Sequence, residues 1–203
     1  MKLNMNHGLL NKYHLNRFEE VIQRTLKDTS RVMAFRLDLR LPDGALDIDK
    51  DSAVITRFFA SLRAQIKAHE LRNKKRGIRV YPCNLQYLWV REFGLEKNKK
   101  HYHLLILVNK DAYYSPGDIS GKLDTKRGVL TLMAIKAWLR ALKLSDESYR
   151  SLVYLPSAYY HLKKQEGLNS QVYRDLIYHT SYMAKLATKS SEDGERNFGC
   201  SQK

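Results

Sequence analysis

Residues 31–42, "RVMAFRLDLRLP", alternate between apolar and polar side chains. The odd-numbered residues from 33 to 41 are all apolar, whereas Arg36, Asp38 and Arg40 occupy even-numbered positions. Because successive side chains of a strand point to opposite faces, this alternation is typical of a strand that rests one face on a core. The stretch therefore predicts a half-buried strand with a charged outer face.

The segments that follow this strand predict an α+β fold. Apolar residues at helical spacing indicate helices near 55–66 and 132–142. Runs of aromatic and β-branched residues indicate further strands at 84–93, 101–109 and 151–155. The resulting order is strand, helix, strand, strand, helix, strand. This is the βαββαβ order of a ferredoxin-like fold, an antiparallel sheet with helices on one face.

Further helices are predicted on either side of this core. Apolar residues recur at helical spacing between 15 and 26, and a second helical pattern covers 170–189. The predicted divisions are an N-terminal helical extension at 1–30, a core domain at 31–189 and a flexible tail at 190–203.

The charge of the chain points to a polyanionic partner. Its 203 residues include 36 Lys and Arg against 21 Asp and Glu, a formal net charge of +15. Nucleic acid is the commonest partner for such a field. We expect no membrane association, because no run of apolar residues approaches the ~18 needed to span a bilayer. Cys83 and Cys200 lie far apart in sequence, so a reducing cytoplasm is the expected location.

Two histidines open the strand "HYHLLILVN" and share one of its faces. His101 and His103 are one residue apart, so their imidazoles project the same way. If a hairpin sets Glu92 opposite His101, its carboxylate joins them. Two imidazoles and a carboxylate suit a divalent ion such as Mg²⁺ or Mn²⁺. The alternatives are polar strand histidines satisfied by neighbours, and a Glu92 that pairs with Lys97 or Lys99.

The C-terminal helix offers a nucleophile. At ~100° per residue, Tyr178, Tyr182 and Lys185 lie on one arc, away from the apolar stripe. A tyrosine hydroxyl with a pKa of ~10 attacks poorly unless a metal or a cation assists it. Lys185, next to Tyr182, is expected to favour the phenolate or to meet the developing charge. A solvated polar face remains the alternative interpretation.

Several basic residues are candidates for phosphate contacts. They are Arg36, Arg40, Lys97, Lys99 and Lys100. The three lysines flank the histidines, and the two arginines share the polar face of the first strand. A solvated charged surface is the alternative for each. Asp38 and His179 are further candidates for a metal or DNA contact, but a structural role is the preferred interpretation of both.

These motifs together resemble the HUH endonucleases. "HYH" is similar to the His-hydrophobic-His signature of that superfamily, and "YMAK" at 182–185 is similar to its Tyr-x-x-Lys motif. Glu92 in "VREFG" resembles the acidic residue that the replication initiators carry on the preceding strand. More narrowly, "FRLDLR", "REFGLEKNKKHYHLLI" and "RNFGCS" resemble the inovirus-type replication proteins, the YagK/YfjJ-like group of prophages and satellite elements.

The resemblance implies a rolling-circle replication initiator with its HUH endonuclease domain at 31–189. Such enzymes nick single-stranded DNA at an origin, remain linked through a 5′-phosphotyrosine and need no ATP to rejoin it. Tyr182 matches the nucleophile, and Tyr178 matches an optional second one. Ser181 stands three residues after Tyr178, where the fuller two-tyrosine pattern has lysine. The sequence has no GxxxxGK[ST] loop, so a host helicase and a host polymerase are expected partners.

Three other functions remain open at this point. A single-tyrosine transposase of the same superfamily would carry the same site residues. A non-catalytic prophage regulator would keep the sheet and the positive charge. A ferredoxin-like RNA-binding protein would need exposed aromatic residues on its central strands, where this sequence has apolar residues or histidine.

Overall fold

The protein is an α+β structure with a six-stranded antiparallel sheet among its described residues. The structure, a computed structural model, describes residues 2–6, 8–44, 51–94, 99–117, 129–187, 189 and 193–202. The helices are α1 (Lys12–Asp28), α2 (Val54–Lys75), α3 (Val129–Ala141) and α4 (Gln171–Ser181). The strands are β1 (Arg31–Arg40), β2 (Gln86–Phe93), β3 (Lys100–Asn109), β4 (Val153–Tyr154), β5 (Tyr159–Lys163) and β6 (Phe198–Cys200). Among these helices, none is long and apolar enough to cross a bilayer.

Strand β1 lies inside the sheet and pairs with three other strands. The strand order is β4-β1-β3-β2-β6, and β5 pairs with β1 beside β4. Strand β3 runs antiparallel to the whole length of β1, from Val32 opposite Asn109 to Arg40 opposite His101. Strands β2 and β3 form the next antiparallel pair. The strand predicted from residues 31–42 is therefore an inner strand of the sheet.

The two faces of the sheet are covered differently. The apolar residues of β1 from Met33 to Leu39, together with Leu41 just after it, pack against α2 and α3 in the larger core, which confirms the predicted apolar face. We call this the core face. The opposite face, here the site face, has a second core beneath α1 and α4, in which Val32 and Ala34 are buried. Strand β1 is thus buried on both faces over its first half, and only its second half carries charged side chains on the site face.

The C-terminal segment is part of the sheet rather than a tail. Residues 198–200 form β6, which pairs with β2 from Leu88 to Val90. The guanidinium of Arg91, fully buried on the core face, donates to the carboxylate of Asp193 at 2.5 and 2.8 Å and is paired with Glu195 at 2.9 Å. The prediction of a flexible tail at 190–203 is wrong for residues 193–202, because a buried arginine requires these carboxylates.

Strand β6 depends on a close approach between backbone and indole. A Cβ added at Gly199 would lie 2.6 Å from the Trp89 ring. We expect Gly199→Ala to lower the free energy of unfolding by ~1–3 kcal/mol, since overpacking must push β6 away from β2. Urea denaturation measures this change. The control is Gly94→Ala, where the nearest atom would be 3.9 Å away, and equal stability of the two variants would contradict the prediction.

The Arg91 contacts also predict a pH effect on stability. The hydrogen bond from Arg91 lowers the pKa of Asp193 to about 2, below the ~3.9 of an unfolded chain. The ionised carboxylate therefore stabilises the fold above pH ~4, and this contribution is lost as the pH falls toward 2. Because Asp193 is 39% exposed, solvent screening limits the effect to about 1 kcal/mol. Urea denaturation at pH 5 and at pH 3 measures the effect. We expect Asp193→Asn to lower the free energy of unfolding more at pH 5 than at pH 3, and an equal loss at both pH values would contradict the prediction.

Candidate functional site

The hairpin register brings the predicted metal ligands together. Glu92 lies directly opposite His101 in the β2–β3 pair, as the sequence predicted. Candidate ligand atoms of Glu92, His101 and His103 all lie within 4.8 Å of one another. His103 Nε2 lies 3.6 Å from Glu92 Oε2. The three side chains lie on the site face, beyond the part that α1 and α4 cover.

Each histidine is oriented by a hydrogen bond from its other ring nitrogen. His103 Nδ1 lies 2.7 Å from the carboxylate of Asp38, and His101 Nδ1 lies 3.1 Å from the carbonyl of Lys99. Both partners accept only, so each Nδ1 must be the donor. In the neutral imidazole this leaves Nε2 with a lone pair for a ligand. A carboxylate or carbonyl behind the ring is the arrangement found at histidine metal sites.

Asp38 is a functional candidate whose role the sequence did not show. It faces His103 across the β1–β3 pair and is buried. Burial alone would raise the pKa of Asp38, but the hydrogen bond with His103 and the nearby Arg36 outweigh burial and hold it below its usual value. The charged carboxylate therefore persists at neutral pH and fixes the imidazole orientation. The alternation of β1 predicted the face of the sheet on which Asp38 lies, but it did not identify His103 as the partner of Asp38.

Glu92 is a buried carboxylate surrounded by cations. It is 1% exposed, and its oxygens lie 2.8 Å from Lys185 Nζ and 3.3 Å from Lys189 Nζ. Burial raises the pKa of Glu92, yet the Lys185 hydrogen bond and the charges of His103 and Lys189 together bring it below its usual range. Glu92 is thus an anion at neutral pH. The sequence patterns did not single out Lys189 as a site residue.

The donor set fits a divalent cation. Burial lowers the pKa of His101, so its ring is neutral and able to bind a metal at neutral pH. Two imidazole nitrogens and one ionised carboxylate match the ligands of Mn²⁺ and related ions. A cation at this point would share the Glu92 carboxylate with the ammonium groups of Lys185 and Lys189 or displace them.

Tyr182 lies beside this group. It begins a 3-10 turn, Tyr182–Ala184, immediately after α4. Its ring centroid is 5.8 Å from that of His103, and the guanidinium of Arg36 lies 4.7 Å above the ring. Burial raises the pKa of Tyr182, and the charge of Arg36 offsets only part of that rise. The phenol is therefore neutral at physiological pH without further assistance.

The predicted helix over 170–189 is too long. Helix α4 ends at Ser181, and Lys185 is extended and forms a β-bridge with Leu10. Contrary to the sequence prediction, Tyr178, Tyr182 and Lys185 therefore do not share one arc of a single helix. Lys185 still reaches the site from the bridge. Its Nζ lies 5.7 Å from the Tyr182 ring centroid and forms an ion pair with Glu92.

Tyr178 remains on α4, one turn before the nucleophile candidate. Its described ring contacts are with His179, at 5.4 Å between centroids, and with the ammonium of Lys2, at 5.5 Å. The structure places it beside the N-terminal residues rather than against the two histidines. Its role as a second nucleophile stays a prediction.

The predicted phosphate-binding residues occupy different environments. Arg36 lies between Tyr182 and Asp38, and Arg40 is exposed with its guanidinium 5.7 Å from the Tyr154 ring. Lys99 forms an ion pair with Asp43.

Lys100 requires a correction. It is 3% exposed and its ammonium donates to Glu195, so it is not placed to contact DNA. Lys97 lies outside the described residues.

The orientation of His103 predicts an effect of Asp38 on metal affinity. We expect Asp38→Asn to weaken Mn²⁺ binding by about 10- to 100-fold, because the amide no longer holds the imidazole as a carboxylate does. Titration calorimetry with Mn²⁺ measures the affinity. Asp111→Asn is the matched control, since Asp111 pairs with Arg31 at the other end of β1. Equal affinities of Asp38→Asn and wild type would contradict the prediction.

Comparisons with known proteins identify the family. A family model described as the YagK/YfjJ C-terminal domain matches residues 1–201. The uncharacterized protein YfjJ of Escherichia coli (strain K12) is 36% identical over 197 residues, covering 92% of this chain and 92% of YfjJ. The uncharacterized protein YagK of the same strain is 36% identical over 180 residues, covering 85% of this chain and 84% of YagK. No solved structure gives a significant match. The chain therefore belongs to the YagK/YfjJ C-terminal domain family.

Proposed function

We propose that this protein is a metal-dependent, site-specific endonuclease and ligase that acts on single-stranded DNA through a covalent tyrosine intermediate. The observation that carries the proposal is the convergence of Glu92, His101 and His103 with Tyr182 beside them. The biological role proposed with it is the initiation of rolling-circle replication, which the resemblance to HUH initiators implies. The histidines would then be ligands of a divalent ion placed next to the nucleophile.

The strand order supports the ferredoxin-like part of this proposal. A βαββαβ chain of that type has its first and third strands in the centre of the sheet. Strands β1 and β3 are the inner pair here, between β4 and β2. Strand β6 would then be an addition at the β2 edge, and β5 an addition beside β4. Many functions occur on such sheets, so the site and not the fold carries the chemistry.

The proposed reaction is a transesterification. The Tyr182 hydroxyl oxygen forms a bond to phosphorus, its proton passes to solvent, and the bond from phosphorus to the 3′ oxygen breaks. The leaving oxygen takes a proton and becomes a free 3′-hydroxyl, while the 5′ phosphate stays on the tyrosine. A divalent ion on Glu92, His101 and His103 would polarise the phosphate and neutralise charge on its oxygens. Attack by a 3′-hydroxyl on the phosphotyrosine reverses the step.

Two cations beside Tyr182 have proposed roles in this reaction. The Arg36 guanidinium lies over the phenol ring and is a donor for a nonbridging phosphate oxygen. Lys185 is proposed to meet negative charge that develops near the tyrosine. Because the pKa of Tyr182 is raised by burial, these charges and the metal must act together to make the oxygen nucleophilic.

A non-catalytic DNA-binding protein is the second candidate, and one observation favours it. Both oxygens of Glu92 are already in contact with ammonium groups, those of Lys185 and Lys189. A buried carboxylate neutralised by two ammonium groups is also the arrangement of a purely structural ion cluster. A single-tyrosine transposase shares the proposed chemistry and differs in its DNA substrate.

Covalent trapping tests the proposal. Purified protein is incubated with end-labelled single-stranded DNA from the neighbourhood of its own gene, with Mn²⁺ or with EDTA, and resolved on denaturing gels. We expect a covalent adduct with Mn²⁺ in the wild type and in Tyr178→Phe, and none in Tyr182→Phe. Tyr178→Phe is the matched control, because it removes the same hydroxyl one helical turn away.

The outcomes separate the candidates. An adduct that depends on Mn²⁺ and on Tyr182 supports the endonuclease. Binding of DNA without an adduct, across DNA that tiles the whole neighbourhood, would contradict the endonuclease and favour the non-catalytic protein. An adduct that persists in Tyr182→Phe but not in Tyr178→Phe would overturn the assignment of the nucleophile.

A further inference from the structure

A cleft lies across the β6 edge of the sheet and is separate from the candidate site. Its volume is 590 Å³, within the ~300–1,000 Å³ range of ligand sites. One wall comes from α1, the other from α2, and the floor comes from β2 and β6. None of Glu92, His101, His103 and Tyr182 lines it.

The cleft is positively charged. Arg17, Arg63 and Arg196 line it, and no carboxylate does among the described residues. Arg63 and Arg196 are both exposed, and within the described ranges neither forms an ion pair. Arg17 forms an ion pair with Glu20 and donates to Cys200 Sγ at 3.3 Å. Two exposed guanidinium groups without an anion on the same cleft favour a ligand that carries several negative charges.

Aromatic side chains are interleaved with these arginines. Tyr87 is stacked on Phe59 with 3.5 Å between ring centroids, and Arg63 lies 5.1 Å above the Tyr87 ring. On the other wall, Tyr13 is 65% exposed and meets Phe198 edge-on at 6.4 Å. Exposed aromatic rings and guanidinium planes are the surfaces on which unpaired bases stack.

We propose that this cleft binds single-stranded DNA as a site separate from the Tyr182 site. Arg63 and Arg196 contact backbone phosphates, and Tyr13 stacks on a base. The inference rests on the proposed function for the choice of DNA as the polyanion. A single strand fits a cleft that bends around a sheet edge, since its backbone is flexible where a duplex is stiff.

Strand β2 connects the cleft to the candidate site, so one DNA strand is proposed to occupy both. Phe198 at the cleft is paired with Val90, which precedes Glu92 by two residues on β2. At about 3.4 Å per residue, Val90 and Glu92 are about 7 Å apart along that strand. The cleft therefore holds DNA that extends beyond the scissile phosphate and increases the affinity for long substrates.

Equilibrium binding tests the cleft without any chemistry. A fluorescent 20-nucleotide oligothymidylate is titrated with wild type and variants in EDTA, and anisotropy is followed at several salt concentrations. We expect Arg63→Gln and Tyr13→Ala each to weaken binding by at least about fivefold. For Arg63→Gln the slope of log affinity against log salt should also fall by about 0.7.

Matched variants control for charge and for folding. Arg72→Gln removes the same charge from the same helix, and Tyr114→Ala removes a ring that is 67% exposed outside the cleft. Both should bind within about twofold of wild type. If the cleft variants bind as the controls do, the proposal is overturned. It is also overturned if polyglutamate competes as well as DNA and Tyr13→Ala has no effect, since an acidic peptide is then the better ligand.

The covalent assay separates this inference from the proposed function. With DNA that forms an adduct, Arg63→Gln should raise the DNA concentration for half-maximal adduct formation at least about fivefold, with an unchanged maximal rate. If no adduct forms but the cleft variants bind weakly, the cleft stands and the endonuclease fails. If the adduct forms and Arg63→Gln matches wild type in both assays, the endonuclease stands and the cleft fails.

Discussion

The register between β2 and β3 determines the candidate site, because two oppositely charged neighbours on β2 are buried on opposite faces. Glu92 points to the site face and is neutralised by Lys185 and Lys189, while Arg91 points to the core face and is neutralised by Asp193 and Glu195. A slip of one residue would exchange the two faces. Glu92 would then lie among carboxylates and Arg91 among ammonium groups. The cost of burying unpaired charge thus selects the one register in which Glu92 meets His101.

The sequence predicted those features that depend on local periodicity. The alternation of residues 31–42 identified the apolar face of β1, and the hairpin placed Glu92 opposite His101. Both follow from the two-residue period of a strand, which needs no knowledge of distant contacts. The motif resemblance led to the YagK/YfjJ family by the same local signals. The pattern of elements also indicated the α+β class with an antiparallel sheet.

Distant contacts account for the features that the sequence did not predict. Helix α4 stops at Ser181 because the chain turns there so that Lys185 can bridge Leu10, which lies 175 positions before Lys185. Asp38 meets His103 only through the β1–β3 register, and the helix between these strands leaves that register undetermined. Strand β6 is three residues long, so its pairing depends on the space that Gly199 leaves for the Trp89 indole.

The residues that neutralise Glu92 and Arg91 lie late in the sequence, so these buried charges acquire their partners only when most of the chain has been synthesised. Glu92 and both histidines are in place once residue 103 has been synthesised, but Lys185, Lys189, Asp193 and Glu195 all follow residue 184. At ~5–20 residues per second, the β2–β3 hairpin waits several seconds on the ribosome before its buried charges acquire their partners. The nascent chain therefore cannot hold the complete candidate site until nearly all the described residues have been made. A prematurely terminated product would carry the histidines but lack the charges that keep Glu92 in place.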